Sequence, residues 1–316
     1  MSSSAKVSVA EFEQIFESVK NWGRWGADDE LGTLNYVTPE RVREAAGLVR
    51  SGRRVSLAIP INTVAGPDNP MPATLFMVQG HDVAVDESKV RFGLDWLGMA
   101  AHGDTHTHVD ALCHISYDGL TYNGRAAQDV LRTNGATEQD IAAYSTGVVG
   151  RGVLLDIPKL RGVRWLEPGE AVTRAELEEC EAAQGVEVRE GDFLVFRTGH
   201  HRRRLQLGAW DNNPPPRGEG KAGLHVDAIP WMHERRIAGF LPDGDGEAVP
   251  SVVDGITYPI HPLQVVAMGM LVADSLQFEE LAAACEEEGS YEFMVVGLPL
   301  RLPGATGSPW NPIAIF

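Results

Sequence analysis

Cysteine is scarce in this 316-residue chain, and long apolar runs are missing from it. Three cysteines, an odd number, favour reduced thiols over a disulfide framework and predict a cytoplasmic protein. No apolar segment approaches the ~20 residues that a membrane span requires. The start, "MSSSAKVSVAEFEQIFESVK", lacks the basic and apolar regions of a secretory signal. We therefore expect a soluble protein without a membrane partner.

Positive charge is also under-represented. The 27 Lys and Arg residues face 44 Asp and Glu residues, which gives a formal net charge of -17 at pH 7. Because such a surface repels polyanions, we do not expect nucleic acid as a partner. A G-x-S-x-G sequence is missing as well, so nothing indicates a serine hydrolase.

The residues that are present predict an α/β fold. Helical and extended patterns alternate along the chain without an internal repeat, and a hydrophobic fraction of 43% is typical of a globular domain. Thr38 and Pro39 predict a helix start and Gly52 its end, while Thr173 and Glu176 form a capping box for a second helix. Short β-branched segments predict the strands "GVLLDIP", "DFLVFRTG" and "YEFMVVGLPLRL".

One stretch, "AHGDTHTHVDALCHI", concentrates four of the ten histidines between residues 101 and 115. Alternate residues of an extended segment point to one face, so Asp104, His106, His108 and Asp110 are expected to lie side by side. Imidazole nitrogens and carboxylate oxygens are the usual ligands of zinc or manganese. The pattern predicts a catalytic divalent metal site, with Cys113 as a buried neighbour.

Several segments carry a resemblance to a known family. "DTHTHVDALCH", "GLHVDAIPWMHERRIAGFLP", "PIHPLQVVAMGMLVADSL" and the ending "YEFMVVGLPLRLPGATGSPWNPIAIF" resemble the putative cyclase or kynurenine formamidase-like superfamily of metal-dependent hydrolases. "NWGRWGADDELGTLN" resembles its longer-chain members. The resemblance implies one domain over residues 1–316 with an N-terminal extension of about residues 1–50. It also implies a swivelling β/β/α-like mixed sheet flanked by helices, in a homodimer or a higher homo-oligomer.

The resemblance also implies roles for individual residues. His108 and Asp110 match its metal ligands, and His114 matches its catalytic histidine. Asp104 stands where the family has a further metal-binding histidine. His261 and Asp274 match a late pair of ligands whose acid is usually Glu, so one metal or two remain open. His106 stands where the family motif has a glycine.

Substrate-binding candidates are the aromatic residues and histidines outside the metal set. These are Trp22, Trp25, His106 and His225. For the tryptophans core packing is the alternative, and for His225 a surface position at the start of a helix.

Together these features predict hydrolysis of a small-molecule amide, lactam, lactone or aryl formamide by metal-activated water, with His114 moving the proton. Two alternatives remain open. A cyclase or dehydratase acting on a small metabolite would use the same metal as a Lewis acid. A non-catalytic small-molecule-binding homologue would result if the departures at Asp104, His106 and Asp274 had dismantled the site.

Overall fold

Nine strands join into one mixed sheet in the computed structural model, which describes residues 6–82 and 89–316. Numbered along the chain, the strands of the described residues are β1 (Arg54–Ser56), β2 (Thr74–Gln79), β3 (Leu94–Gly98), β4 (His108–Asp110), β5 (Leu131–Arg132), β6 (Gly135–Ala136), β7 (Val148–Asp156), β8 (Ala171–Val172), β9 (Phe193–Arg197), β10 (Gly223–Leu224), β11 (Gly239–Pro242), β12 (Leu271–Asp274), β13 (Glu292–Gly297), β14 (Gly307–Pro309) and β15 (Ile313–Ile315). The order across the large sheet is β1-β15-β13-β7-β9-β11-β12-β4-β14.

The centre of this sheet is parallel and its two margins are antiparallel. Strands β7, β9, β11 and β12 run parallel, and their apolar residues are buried, as expected for a sheet covered on both faces. Strands β13, β15 and β1 extend one margin, and β4 and β14 extend the other. The predicted single-domain α/β fold with a mixed sheet flanked by helices is confirmed.

Helices cover the sheet and supply most of its connections. In the described residues they are α1 (Val9–Ser18), α2 (Pro39–Ala46), α3 (Ala127–Val130), α4 (Ile157–Arg161), α5 (Arg174–Gln184), α6 (His200–Leu207), α7 (Ala228–Glu234) and α8 (Glu279–Glu288), with a π-helix at Pro262–Met268. None of them is long and apolar enough to cross a lipid bilayer. The cysteines Cys113, Cys180 and Cys285 are buried and unpaired.

Two helix predictions have different outcomes. The capping box of Thr173 and Glu176 is present at the start of α5 and confirms that helix. Helix α2 begins after Thr38 as predicted but ends at Ala46, well before Gly52. The backbone N–H of Gly47 closes the last turn, and the chain then turns so that the N–H of Gly52 donates to the carbonyl of Phe316. The helix therefore ends early, and the segment up to Gly52 pairs with the C-terminal residue although its sequence pattern is helical.

The N-terminal segment supports the π-helix that follows His261. Asn21 donates from its side-chain amide to the carbonyl of Met268, and Trp22 donates from its indole N–H to the carbonyl of Val266. At Gly32 an added Cβ would lie 1.8 Å from the carbonyl oxygen of Gly269, so only glycine permits this approach. The last carbonyl groups of a helix have no partner within it, and Val266 and Met268 lie at this end of the π-helix. The N-terminal segment therefore supplies hydrogen-bond donors to these carbonyl groups and fixes the turn that follows His261.

Strands β2 and β3 form a two-stranded hairpin apart from the large sheet, here called the arm. Its large apolar side chains are each between 48% and 60% exposed, and they are Leu75, Phe76, Met77, Val78, Leu94, Trp96 and Leu97. Phe76 and Trp96 stack with ring centroids 5.3 Å apart. An isolated hairpin is marginally stable in water, so we expect a partner to cover this apolar surface.

Candidate metal centre and active site

The predicted metal ligands meet where β4 pairs with β12. His108 lies directly opposite Asp274 in this antiparallel pair, so the two side chains share a face of the sheet. Asp110 follows two residues later on the same face, whereas Val109 enters the core. The Nε2 of His108 lies 3.6 Å from Oδ1 of Asp110 and 3.9 Å from Oδ2 of Asp274. Strand register therefore brings together residues that are distant in the sequence.

His102 belongs to this group, although the sequence analysis gave it no role. Its Nδ1 lies 3.0 Å from Oδ1 of Asp110, and its Nε2 lies 2.9 Å from the hydroxyl oxygen of Thr306. An Nε2–H that donates to Thr306 leaves Nδ1 free to bind a cation. The only sequence signal for His102 was its membership of the histidine-rich stretch, because the motif spacing pointed instead to Asp104.

The other two histidines are each oriented by a hydrogen bond. The Nδ1–H of His108 donates to the carbonyl oxygen of His106 over 2.7 Å, which leaves Nε2 unprotonated and facing the site. The Nδ1 of His261 lies 2.8 Å from Oε1 of Glu247, a fully buried carboxylate that also accepts the backbone N–H of His261. The remaining Nε2 of His261 lies 3.3 Å from Oδ2 of Asp274. Such outer carboxylates fix the ring orientation of metal-binding histidines.

Two groups of ligand atoms result, and Asp110 belongs to both. One group is His102, His108 and Asp110, the other is Asp110, His261 and Asp274, and within each group the ligand atoms lie within 4.8 Å of one another. Both oxygens of Asp110 and Oδ1 of Asp274 are buried without a hydrogen-bond partner. Buried polar atoms without partners are costly unless a ligand takes them. The mixed nitrogen and oxygen donors therefore fit a divalent cation such as zinc or manganese.

The charges of these groups also favour a cation. Burial disfavours ionisation of Asp110, but the surrounding His102, His114 and His108 outweigh it and hold the pKa of Asp110 below its usual range. Burial likewise disfavours a charged His261, yet its hydrogen bonds with Asp274 and Glu247 raise its pKa well above the usual value. Asp110 thus offers an ionised carboxylate to a cation, whereas His261 has to release a proton before its Nε2 can bind one.

His114 stands next to this centre without being part of either ligand group. Its ring stacks on that of His102 with centroids 3.6 Å apart, and its Nε2 lies 4.0 Å from Oδ2 of Asp110. Burial lowers the pKa of His114 to about 4. The side chain lines a cavity of about 420 Å³ that also contains His102, His108, His261 and Asp274. His114 can therefore contact a molecule in the cavity while the other residues hold a cation.

Comparison with known proteins identifies the family. The family model described as "Putative cyclase" matches residues 55–245, more than half of the chain. The chain belongs to the putative cyclase family.

A solved structure described as a novel cyclase is 35% identical to this family member, and the match covers 94% of this chain and 99% of the other, with a TM-score of 0.82. Two isatin hydrolases share the fold. The enzyme from Ralstonia solanacearum is 20% identical over 83% of this chain and 91% of its own, with a TM-score of 0.57. The enzyme from Labrenzia aggregata, bound to benzyl benzoate, is 22% identical over 85% and 94%, with a TM-score of 0.56. No curated protein sequence matches the chain.

One predicted ligand of this cyclase-family chain lies elsewhere. Asp104 is absent from both ligand groups, because its Oδ1 pairs with the ammonium of Lys221 at 3.1 Å. The expected extended strand covers only His108–Asp110, and the chain forms a turn at Asp104 and Thr105. Asp104 therefore does not share a face with His108, and His102 occupies the place expected for Asp104.

The four residues predicted to bind substrate lie outside this cavity. Trp22 packs edge-on against Phe16, and Trp25 packs edge-on against Tyr36. His225 is buried, not on the surface, with Nδ1 3.0 Å from a carboxylate oxygen of Asp227. His106 is also buried, and its carbonyl orients His108. The side chains that line the cavity besides the metal set were missed, namely Ile115, Lys221, Asp245, Tyr258 and Pro262.

Proposed function

We propose that this cyclase-family protein is a metal-dependent hydrolase that cleaves the C–N or C–O bond of a small-molecule amide, lactam, lactone or aryl formamide. The observation that carries the proposal is Asp110, which has two buried, unpartnered oxygens and belongs to both ligand groups, whose other members line a cavity of small-molecule size. Isatin hydrolases share the fold, and isatin is a cyclic amide, which supports the lactam class.

In this proposal His102, His108 and Asp110 hold one divalent cation. His261 and Asp274 would add to its ligands or, together with Asp110, would hold a second cation. A bound cation of this kind polarises the acyl carbonyl and lowers the pKa of water. Glu247 keeps Nε2 of His261 directed at the centre. Asp104 is not among the proposed ligands.

His114 moves the proton. Hydrolysis adds the hydroxyl of water to the acyl carbon, breaks the bond to nitrogen or oxygen, and transfers a proton to the leaving atom. The ring of His114 reaches the cavity and is held against His102, so its nitrogen can take the proton from water and deliver it to the leaving group.

The proposal is tested by metal analysis of the purified protein, followed by a panel of lactams, lactones and aryl formamides that begins with isatin. We expect about one or two zinc or manganese ions per chain and ring opening or deformylation of at least one compound. Water labelled with ¹⁸O should place its oxygen in the new carboxylate. A metal-free protein, or a reaction that releases water instead of consuming it, would refute the hydrolase assignment.

We also propose a homodimer in which the arm of each copy lies in a groove of the other. The groove, about 1130 Å³, is lined by Ile61, Leu298, Leu300 and Leu302 together with His102. These four aliphatic side chains are between 39% and 59% exposed. Since His102 lines both the groove and the metal cavity, the partner's arm would lie beside the active site. The tryptophans of the N-terminal segment pack within their own chain, so we do not assign the interface to them.

Charge and area favour a second copy over other occupants. Two chains of net charge -17 repel each other, but Asp95 is the single charged residue of the two arm strands, and Arg132 is the single Lys, Arg, Asp or Glu lining the groove. Aromatic side chains bury ~150–250 Å² each, so the half-exposed Phe76 and Trp96 still have substantial area to bury. With the groove residues they supply much of the ~800 Å² per partner of a standard interface.

Trp96→Lys should convert the dimer into a monomer, because a charge at the centre of an apolar interface loses its hydration. Light scattering at micromolar concentration should give twice the 34.3 kDa chain mass for the wild type and the single mass for the variant. Leu205→Lys, at a 64% exposed apolar site on α6, is the matched control and should stay dimeric. A monomeric wild type, or a dimeric Trp96→Lys variant, would exclude the arm as the interface.

The domain limits remain a proposal: one domain over residues 1–316, with an N-terminal extension of about residues 1–50. Residues 1–5 of that extension lie outside the described part. A cytoplasmic location also stays a prediction, supported by three buried cysteines without disulfides.

A further inference from the structure

One wall of the active-site cavity contains a buried lysine that the proposed chemistry does not use. Lys221 is 5% exposed, and its ammonium lies between the carboxylates of Asp104 and Asp245, at 3.1 Å from the former. The same ammonium lies 5.8 Å from the ring centroid of Tyr258. All four residues line the cavity.

The two carboxylates differ in what remains open to a ligand. Asp245 uses both oxygens, since one pairs with Lys221 and the other accepts the backbone N–H of Glu247. Asp104 uses only Oδ1, for Lys221, and among the described residues its Oδ2 has no hydrogen-bond donor. The side chain of Asp104 is 34% exposed, against 17% for Asp245. Outside the candidate metal ligands, the described part of this wall therefore offers an open acceptor oxygen on Asp104.

The local charge sets the kind of group that this oxygen accepts. One ammonium and two carboxylates leave an excess negative charge, because the cation of Lys221 is already shared between its partners. The ammonium donates two of its three hydrogens to these carboxylates, and their two negative charges outweigh its single positive charge. An acceptor with excess negative charge favours an N–H donor or an ammonium and repels a carboxylate.

We propose that Asp104, positioned by Lys221, binds a nitrogen donor of the substrate and so selects neutral or cationic nitrogen compounds over anionic ones. This inference rests on the proposed function for its site but assigns the substrate class more narrowly. Tyr258 provides an aromatic surface beside this oxygen, which suits an aryl or cyclic nitrogen compound. Asp104 thus serves as a specificity residue at the position where a metal ligand was expected.

The test is ligand binding by Asp104→Asn in the zinc-loaded protein. The variant keeps the shape of the side chain, and Lys221 retains its partner Asp245. We expect it to bind benzylammonium at least about tenfold more weakly than the wild type, as loss of a charged hydrogen bond predicts. Benzoate should bind the variant at least as tightly as the wild type. Asp254→Asn, at an exposed surface ion pair with Lys6, is the matched control and should change neither affinity.

Every result of this experiment decides the inference. Zinc content and thermal unfolding are measured on the same samples, and Asp104→Asn should keep both. Equal benzylammonium affinity in the wild type and Asp104→Asn, or no binding by the wild type, overturns the inference, and loss of zinc would show that Asp104 is a ligand after all. For any amide hydrolysed in the panel, KM should rise with kcat nearly unchanged. If no compound is hydrolysed but the difference in binding is found, the hydrolase proposal fails and the specificity site stands.

Discussion

Asp110→Ala is expected to abolish metal retention, the largest effect of any single substitution in this protein. Asp110 is the one residue present in both ligand groups, so its removal affects every arrangement of one or two cations. Loss of an outer-shell partner costs ~10–100-fold in metal affinity, and loss of this shared ligand should exceed that range. Metal analysis after gel filtration checks the result, with Asp254→Ala as an exposed carboxylate control.

The fold should survive the Asp110→Ala substitution. Asp110 lies on the site face of β4, and its charged contacts are the histidines of the centre, so we expect the variant to stay folded although it loses the interactions that hold the pKa of Asp110 low. The wild type should gain thermal stability on adding zinc, since a ligand bound only by the native state shifts the unfolding equilibrium, whereas the variant should gain none. Stoichiometric metal in the variant would contradict the proposed centre.

His102→Ala and His108→Ala should both lose the metal, whereas Asp104→Asn should keep it. This comparison shows which of His102 and Asp104 is a metal ligand.

The sequence predicted the metal centre only to the extent that its parts are local. His108 and Asp110 are two residues apart, so a short strand suffices to align them. Asp274 and His261 were assigned by resemblance alone, because no local pattern reports that His108 will lie opposite Asp274 in a sheet. His102 was missed for a related reason. The turn at Asp104 and Thr105 breaks the alternation on which the assignment of Asp104 depended.

The fold was predicted where caps and β-branched segments are unambiguous. Helix α5 has its capping box, and β9 and β13 lie within predicted apolar segments, while β7 overlaps the predicted segment "GVLLDIP" but begins earlier, at Val148. The roles of Trp22 and Trp25 could not be inferred because an aromatic side chain packs equally well in a pocket or against a neighbouring element. In the structure Trp22 satisfies a carbonyl of the π-helix behind His261. It therefore supports the site from outside the cavity.

The metal centre, the acceptor on Asp104 and the groove beside His102 lie along one continuous surface. His102 and Gly103 line the metal cavity, Asp104 follows directly in the chain, and the arm ends at Gly98. The loop from β3 to β4 thus connects the proposed metal ligand, the proposed substrate contact and the proposed interface. Because these positions are a few residues apart, a change in the arm can alter the geometry of the centre without a contact to the metal.

His114→Ala should separate catalysis from metal binding. His114 lies outside both ligand groups but lines the cavity, so the variant should keep its metal and lose ~10²–10⁴-fold in turnover, the range expected for removal of a general acid–base group. His114→Asn should be no better, because an amide is polar but does not exchange a proton near neutral pH. Metal content has to be measured together with turnover, because His114 stacks on the ring of His102, a proposed metal ligand.

Metal content and turnover measured on the same His114→Ala sample distinguish three roles for this histidine. A full site with low turnover supports the proton-transfer role. An empty site would make His114 a ligand or a support of His102, since its ring lies 3.6 Å from that of His102. A full site with wild-type turnover would remove His114 from catalysis and leave proton transfer to another group of the cavity. The hydrolase proposal itself depends on the first measurement, because only a loaded centre can supply the activated water.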